Sequence, residues 1–531
     1  MNRISLLLPF AAGWTLALGG CGAEYGLADS RGADYAMAEG DFGDDGGAGA
    51  PSDTADVDDG YGSEDEAGFL GLEPAVTTAY VFVANPDLNT VTRISVPSLA
   101  VITASVGVNP AVALTTADYN TAAVFNQGSD EVSVIDADTL SVDNVEVREN
   151  FNNMVMSPDG KWVACFHDAA KEDDASSADS AGTQSYNEVS FVRLGDKQHF
   201  PTVVGFNPRG IQFTPDGGTA VVVSDAYVVL VDLTGEEPIR TPVAISEDTV
   251  NPPSAEEVLI DPNGQYAMIR QYGTAELVVV DLKTFEVGRV AVGDNATDLD
   301  VTPEGDEAVA VARGSSELWV YDLADPFLAP KVIGLPAEEI LGSVTMSPDG
   351  SKGLLYSTQS GLSRYAVWDR TVADFADSIS VRNLEKPVTS IGVSPDGATA
   401  LIFHDRANGV DVASDSPFYN QYALTLISLA DFFPNTLKLA GEPKAWDNTE
   451  DGEAGFLIME GQPELLVLHY ASLMHDAIEL KSAPVHTGVL PESHTVYVSQ
   501  EHELGRISFY DLDLEQLTTV TGFELNAAIE Y

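Results

Sequence analysis

A hairpin that recurs along the chain limits the possible folds more than any other feature of the sequence. In residues 388–394 (VTSIGVS), side chains alternate with the two-residue period of a strand that packs on one face. Ser394-Pro395-Asp396-Gly397 then predicts a tight turn, because Pro fixes φ, Asp can accept backbone hydrogen bonds and Gly tolerates positive φ. An apolar strand over 400–403 follows and ends at His404-Asp405. Residues 388–405 are therefore predicted to form a β-hairpin.

The same turn signal returns along most of the chain. Related tetrapeptides begin at Ala117, Ser157, Thr214, Asp261, Thr302 and Ser347, and weaker versions begin at Glu460 and Leu490. The intervals from Asp118 to Asp159 and from Asn263 to Glu304 are each 41 residues. This is the period of a four-stranded β-propeller blade.

A third strand follows the hairpin in many units. It is apolar or alternating and ends in Asp, at residues 132–136, 228–232, 277–281, 318–322 and 507–511. A weaker fourth strand comes next, as in residues 286–292. Because the terminal Asp repeats so regularly, we expect it to make hydrogen bonds in turns and to have no catalytic role.

With these motifs the chain resembles the YVTN-type β-propeller repeat proteins. Residues 80–85 (YVFVAN) approximate the strand that gives the family its name, and residues 132–136 (VSVID) match the strand that follows it. The resemblance implies an all-β fold, a single propeller of four-stranded antiparallel blades. It implies no chemistry, because propellers host binding, scaffolding and several unrelated catalytic activities.

The sequence leaves the number of blades open. Nine turns and an incomplete first unit at 79–106 make ten units, whereas seven or eight blades are commoner and favoured here. Residues 455–483 are short for a blade, so units there could be merged. The first unit lacks a recognisable first strand, which residues 523–531 could supply, closing the ring by pairing its two ends. We expect the propeller to occupy residues 76–531.

The N-terminus is typical of a bacterial lipoprotein signal peptide over residues 1–20. Arg3 gives a positive start, an apolar run covers 6–18, and Leu18-Gly19-Gly20-Cys21 resembles the lipobox. The resemblance implies cleavage before Cys21 and lipidation of its thiol, so that the protein is anchored to a membrane outside the cytoplasm. Gly22 stands where Asp would imply inner-membrane retention, which favours the outer membrane or cell surface. An ordinary signal peptide followed by a chance Cys is the alternative.

Charge and composition limit the partners. Residues 21–75 are rich in Gly and Asp and predict an acidic disordered linker, whose acids lack EF-hand spacing. The whole chain has 83 acidic and 25 basic residues, a net charge of −58. Such a surface repels phosphate backbones and argues against nucleic acid as a partner. The two cysteines, Cys21 and Cys165, provide no disulfide framework for the mature protein.

Two insertions interrupt the period, near residues 168–187 and 405–420. Each follows the second strand of its unit, so both are predicted on the same face of the ring. Long loops on one face of a rigid scaffold often carry function. Neutral drift of surface insertions is the alternative.

Both insertions begin with Phe-His-Asp, and these residues form the candidate site. His167 and Asp168 in one unit are equivalent to His404 and Asp405 in another, and His469 ends a strand of the short unit. If they converge at one rim, imidazoles and carboxylates would suit a divalent metal or a general base. The alternative is that polar residues simply end strands at the surface, as they do in other units.

The remaining motifs point to no further chemistry. His199 stands alone, and His475, His486, His494 and His502 lack zinc-like spacing, so surface positions are predicted for them. Cys165 lies in an apolar strand and is predicted to be a buried, inert thiol. The sequence contains no nucleophile elbow, phosphate-binding loop or haem-attachment motif.

Two functions from different classes follow. The first is a lipid-anchored extracytoplasmic propeller that acts as a non-catalytic binding or scaffold module without a cofactor. Its partner would be another envelope protein or a surface polysaccharide. The second is a metal-dependent or lactonase-like hydrolase at the propeller rim, which requires His167, His404 and nearby acids to face one point.

Overall fold

Ten four-stranded antiparallel sheets make up the described part of the chain. The structure, a computed structural model, describes residues 74–522 except 87, 169–186, 206–207, 209, 225, 249–251, 360 and 375–376. Strands follow one another in chain order within every sheet, so each sheet is an up-and-down meander. We number the sheets blades 1 to 10 in chain order.

Blades 1 to 3 contain β1 (Ala75–Val76), β2 (Tyr80–Asn85), β3 (Thr90–Ser95), β4 (Val101–Ser105); β5 (Pro110–Thr115), β6 (Thr121–Asn126), β7 (Glu131–Asp136), β8 (Val142–Glu146); and β9 (Asn153–Met156), β10 (Trp162–Phe166), β11 (Glu188–Arg193), β12 (Gln198–Val203). Blades 4 to 6 contain β13 (Gly210–Phe213), β14 (Thr219–Val223), β15 (Tyr227–Asp232), β16 (Ile239–Ala244); β17 (Ala255–Ile260), β18 (Tyr266–Gln271), β19 (Glu276–Asp281), β20 (Val287–Ala291); and β21 (Ala296–Val301), β22 (Glu307–Ala312), β23 (Glu317–Asp322), β24 (Lys331–Gly334).

Blades 7 and 8 contain β25 (Ser343–Met346), β26 (Lys352–Tyr356), β27 (Arg364–Asp369), β28 (Ile379–Asn383); and β29 (Ser390–Val393), β30 (Thr399–His404), β31 (Ala423–Ser428), β32 (Pro434–Lys438). Blades 9 and 10 contain β33 (Pro443–Asn448), β34 (Ala454–Met459), β35 (Glu464–His469), β36 (Met474–Glu479); and β37 (Pro484–Val489), β38 (Thr495–Gln500), β39 (Arg506–Asp511), β40 (Gln516–Thr521). A 3-10 turn, Ala337–Glu339, precedes blade 7.

Apolar side chains between neighbouring blades close the ten sheets into a ring. Between blades 4 and 5, for example, Val221 packs with Ile269 in one buried cluster. An equivalent cluster joins the first blade to the last, where Val81 meets Tyr497 and Ile507. Each buried side chain of this size contributes roughly 1.5–3 kcal/mol. The chain is therefore a closed β-propeller, which confirms the predicted fold class, and it has ten blades.

The first strand of each blade lies at the centre of the ring and the fourth at its outer edge. First strands of adjacent blades contact each other, as β17 does β21 and β21 does β25. Second strands are the most buried: all six residues of β30 are buried, whereas most of β8 is exposed. The surface of the central channel is thus formed by first strands and by the turns that follow them.

The turn between the first and second strands explains the repeated tetrapeptide. In blade 8, Asp396 Oδ1 accepts hydrogen bonds from the Ser394 hydroxyl (2.6 Å) and the Ala398 N–H (2.9 Å). Ser394 Oγ accepts from the Thr399 N–H at 2.9 Å, and Gly397 has a φ of 69°. The hydroxyl-to-carboxylate bond recurs in blades 3, 4 and 7. The motif is therefore a closed set of hydrogen bonds within one turn.

The Asp that ends the third strand also makes turn hydrogen bonds, as predicted. Asp136 Oδ1 accepts from the Thr139 N–H (2.7 Å) and hydroxyl (2.8 Å). Asp281 accepts in the same way from two backbone N–H groups, and Asp369 from the Thr371 N–H and hydroxyl. These carboxylates organise the turn between the third and fourth strands.

Blade 9 shows why the sequence suggested fewer blades. Its first turn is Thr449-Glu450-Asp451-Gly452, in which the Gly452 N–H donates to the Thr449 carbonyl at 2.9 Å. Residues 460–463, which have a similar composition, instead join β34 to β35. Blade 9 is therefore complete, and the ring has ten blades where the sequence favoured seven or eight.

Blade 1 has a first strand of its own. Strand β1 pairs with β2, with Ala75 opposite Phe82. Residues 523–531, expected to supply this strand, lie outside the described residues, as do the signal peptide predicted over 1–20 and residues 21–73 of the predicted linker. No helix in the described ranges is both long and apolar enough to cross a membrane.

Candidate functional site

In several blades, polar side chains at the same register form a chain of hydrogen bonds within the blade, which we call the polar relay. In blade 2, Asn126 Nδ2 donates to Ser133 Oγ (2.9 Å), and Ser133 donates to Asn144 Oδ1 (2.8 Å). In blade 10, Gln500 donates to Ser508 at 2.5 Å, and Ser508 hydrogen-bonds to a threonine of β40. The relay links the end of the second strand to the third and fourth strands, and it provides buried polar groups with partners.

His404 occupies the Asn126 position in blade 8. Its Nδ1 lies 2.7 Å from the Pro387 carbonyl oxygen, and its Nε2 lies 2.8 Å from the Thr425 hydroxyl. Because a carbonyl only accepts, Nδ1 carries the proton and Nε2 accepts from Thr425. Burial lowers the pKa of His404 to about 4, so the ring is neutral at pH 7. Both ring nitrogens are therefore engaged within the blade.

His167 and Asp168 follow β10 in blade 3, at the matching position, and both are buried. Asp168 Oδ2 accepts from Asn153 Nδ2 at 3.0 Å, and the Asp168 N–H donates to Asn152 Oδ1 at 2.7 Å. Blades 3 and 8 are five blades apart in a ring of ten. His167 and His404 therefore lie on opposite sides of the ring.

His469 ends a third strand, β35, and not a second strand as its sequence context suggested. It pairs with Ala454 at the beginning of β34, so it lies at the opposite end of its blade from the position that His404 takes in blade 8. Its Nε2 lies 2.9 Å from Asp476 Oδ2. Asp405 is exposed and accepts from the Ala407 N–H at 2.8 Å.

The structure thus does not bring the predicted ligands His167, Asp168, His404, Asp405 and His469 to a common point. Two of the histidines lie within blades on opposite sides of the ring, and the third lies at the other end of its blade. In blade 8 the Phe-His-Asp motif is explained by the relay, because the histidine that ends the buried second strand hydrogen-bonds to the third strand. The hypothesis of a hydrolase at the rim required these side chains to face one point, and the structure does not show that arrangement.

The insertion at 405–420 forms a loop between β30 and β31 that a buried lysine supports. Lys386 Nζ donates to the carbonyl oxygens of Gln421 (2.6 Å) and Phe418 (3.3 Å), and burial lowers the pKa of its amine. The Val410 N–H donates to Gly361 of blade 7 at 2.9 Å. The other insertion joins β10 to β11, so both leave the same face, as predicted; residues 169–186 lie outside the described residues.

A cavity of about 290 Å³ lies in the wall of the central channel. We call it the channel-wall cavity; it is lined by β9, β13, β17 and β21 of blades 3 to 6 and by two turn prolines. Met156, Phe213 and Ile260 present partly exposed apolar surface there, and Glu257 and Asp300 add carboxylates. Concave apolar surfaces with a few polar groups are typical binding sites.

A second group of donors lies at the turn end of blades 9 and 10. Carboxylate oxygens of Asp451 and Glu453 and a ring nitrogen of His494 lie within 4.8 Å of one another, the one such triad found in the part of the chain that the structure describes. Sequence reasoning missed it because the turn of blade 9 was not recognised. The signal was present, since Glu453 and His494 are one blade period of 41 residues apart.

Two other predictions concern single residues. Cys165 is buried in β10, as predicted, and burial raises the pKa of its thiol, which disfavours the reactive thiolate. His486, expected at the surface, is buried and stacks on Tyr497 with 6.3 Å between ring centroids. Burial lowers the pKa of His486 to about 4.

The sequence matches no family model and no curated protein. Among solved structures, a eukaryotic initiation factor shares 12% identity with a TM-score of 0.51, covering 76% of this chain and 96% of that one. Dihydro-heme d1 dehydrogenase NirN in complex with DHE shares 14% identity with a TM-score of 0.45 (76% and 73%). The β-propeller domain of Cps50 (Swd1) from Myceliophteria thermophila shares 14% with a TM-score of 0.34 (56% and 92%). The first of these similarities supports the fold alone, and the two with lower TM-scores support no conclusion.

Proposed function

We propose that this propeller is a lipid-anchored, extracytoplasmic binding or scaffold module of the cell envelope without catalytic activity. The Leu18–Cys21 motif after an apolar run supports the anchor, and Gly22 favours the outer membrane or cell surface. The acidic stretch over 21–75 would act as a long leash, because like charges extend a flexible chain. A leash of this kind raises the local concentration of the module near the membrane without fixing its orientation.

The channel-wall cavity is the observation that carries the binding role. At about 290 Å³ it is small for a cofactor but suits one or two apolar side chains of a protein partner. The net charge of −58 and the Asp300 carboxylate favour a partner segment that also carries Lys or Arg, whereas Glu257 is already paired with Arg270 at 3.0 Å. We therefore favour an extended, basic and apolar segment of another envelope protein over a polysaccharide.

A labelled peptide of alternating Lys and Leu tests the cavity directly. Its fluorescence anisotropy is measured against the full mature protein and against Phe213→Glu and Ile260→Asp, in about 0.15 M salt to limit non-specific attraction. Val287→Glu is the matched control, because Val287 is 40% exposed on the outer strand of blade 5. We expect at least tenfold weaker binding by the two cavity variants and no change in the control.

Several outcomes would overturn the assignment. Equal binding by the wild type, the cavity variants and the control would mean that net charge alone attracts the peptide. Equal binding of an alternating Glu and Leu peptide would remove the charge argument. The anchor is tested separately by metabolic labelling with palmitate, which should mark the wild type but not Cys21→Ser.

A further inference from the structure

In blades 9 and 10, the turns between the first and second strands lie side by side and form one platform on a face of the ring. The Glu492 N–H of blade 10 donates to Glu450 Oε1 of blade 9 at 3.1 Å. Just before these turns, the Val489 N–H donates to Asp447 Oδ2 at 2.7 Å. Two hydrogen bonds between the blades therefore link the two turns directly.

Three side chains project from this platform toward one another. Asp451 and Glu453 belong to the turn between β33 and β34, and His494 belongs to the next turn along the ring, between β37 and β38. His494 Nε2 lies 3.1 Å from Asp451 Oδ2. Asp451 Oδ1 accepts from the Glu453 N–H at 3.0 Å, which holds its carboxylate in the turn with Oδ2 directed at the histidine.

A fourth residue orients the imidazole. His494 Nδ1 lies 3.0 Å from Asp513 Oδ1, which belongs to the turn between β39 and β40. Histidines that bind metals usually donate their other ring N–H to a carboxylate in this way, which fixes the ring and makes the ligating nitrogen more basic.

We propose that Asp451, Glu453 and His494 bind a divalent transition-metal ion, with Asp513 as the positioning residue, and that the ion clamps blade 9 to blade 10. The inference is independent of the proposed function, because the channel-wall cavity is formed by blades 3 to 6.

The donor set selects the kind of ion. One imidazole and two carboxylates suit zinc, which leaves a fourth position for water or for a group of a partner. Calcium takes six to eight oxygen ligands and magnesium keeps several waters, so neither gains from the imidazole. Asp451 and Asp513 are more than half exposed, so an ion can reach the site from solution without a conformational change.

Zinc binding to the full mature protein tests the proposal, with a chromogenic chelator as competitor and Co²⁺ as a spectroscopic substitute. We expect one site per chain, a rise in Tm with zinc, and d–d bands of Co²⁺ that indicate nitrogen and oxygen ligands. His494→Gln should weaken zinc binding by more than about 100-fold, and Asp513→Asn by about 10–100-fold. His469→Gln is the matched control, because His469 also contacts one carboxylate, Asp476, but lies outside the triad.

The controls separate the proposal from general attraction of cations by an acidic protein. A loss of zinc affinity in His494→Gln but not in His469→Gln, with both variants as stable as the wild type in the absence of metal, supports the site. Equal zinc affinity in all three proteins, or an equal rise in Tm with Mg²⁺, would overturn it. Absence of any binding in the millimolar range would overturn it as well.

Discussion

Acidification tests the relay of blade 8, in which His404 is buried and neutral. We expect the free energy of unfolding to fall between pH 6.5 and pH 4 in the wild type, and His404→Asn to lose part of this dependence. Asn is the matched replacement, because Asn126 takes the same position in blade 2 and donates to its third strand. The Asn side chain does not titrate, and it keeps a polar group at the end of the buried second strand.

The magnitude follows from the pKa of His404, which burial lowers from 6.5 to about 4. Above pH 6.5 the ring is neutral in both the folded and the unfolded chain, and this group adds no pH dependence. Below pH 6.5 the unfolded chain takes up a proton that the folded chain cannot, so stability falls until the pH passes the folded pKa. With about 1.36 kcal/mol for each tenfold difference in proton affinity, the loss reaches about 2.5 kcal/mol at pH 4.5.

The assay compares urea unfolding of the two proteins at pH 7.5 and pH 4.5. Trp446 reports locally, because its ring centroid lies 5.8 Å from that of Phe403, the residue before His404. At pH 7.5 the variant should be less stable by about 1 kcal/mol, since the hydrogen bond to Pro387 is lost. At pH 4.5 the order should reverse. His486, which also has a pKa of about 4, is present in both proteins and cancels in the comparison.

Parallel stability profiles for the wild type and His404→Asn would refute the reasoning, because they would mean that His404 is not buried and neutral. So would a titration of the His404 ring near pH 6.5 in histidine NMR spectra of the folded protein. A profile in which only the wild type falls steeply would support the structural role of this residue.

Three further predictions concern the interior and the turns. Cys165 should react with iodoacetamide only after unfolding, and rapid labelling of the folded protein, seen by mass spectrometry, would contradict its burial. Gly350→Ala should lower the free energy of unfolding by roughly 1–2 kcal/mol, because φ is 64° and a Cβ is strained in this region. Gly195→Ala, with nothing within 4 Å of its Cβ, is the control, and equal urea midpoints for the two variants would argue against the strain. The hydrogen bond from Thr214 lowers the pKa of Asp216 in the folded protein. Asp216 therefore contributes stability above the unfolded pKa near 3.9, and this contribution is lost as the pH falls through the folded pKa. Asp216→Asn should make the free energy of unfolding depend less on pH at the acid end, and an unchanged dependence would contradict this.

The blades could be predicted from the sequence because their turns are formed by hydrogen bonds between neighbouring residues. The number of blades depends on packing between sheets that are far apart in the sequence. Ser394, Pro395, Asp396 and Gly397 act within a single turn, so their meaning can be read from neighbouring residues. In blade 9, Thr449-Glu450-Asp451-Gly452 lacks Pro, while residues 460–463 combine Glu, Gly and Pro between other strands. The number of blades is set by how tightly neighbouring sheets pack, which no single motif encodes.

The predicted histidine site failed for a related reason. The repeat of His167 and His404 was correctly read as an equivalence of position, but equivalent positions in distant blades lie far apart around a ring. Whether a histidine is buried and neutral, as His404 is, or partly exposed between carboxylates, as His494 is, depends on which side chains the neighbouring strands and blades bring to it. Glu453 and His494 are 41 residues apart, which is one blade period, and this spacing could have predicted that they lie close together in adjacent blades.

Every blade draws its four strands from consecutive elements of the chain, and among the described residues no strand is exchanged across the junction between blades 1 and 10. Under tension applied to its two ends, such a molecule should come apart one sheet at a time, beginning at that junction. Each step would release roughly 140 Å of extended polypeptide, the contour length of about 41 residues. This stepwise unfolding would let the protein lengthen under pulling while most of its sheets remain folded.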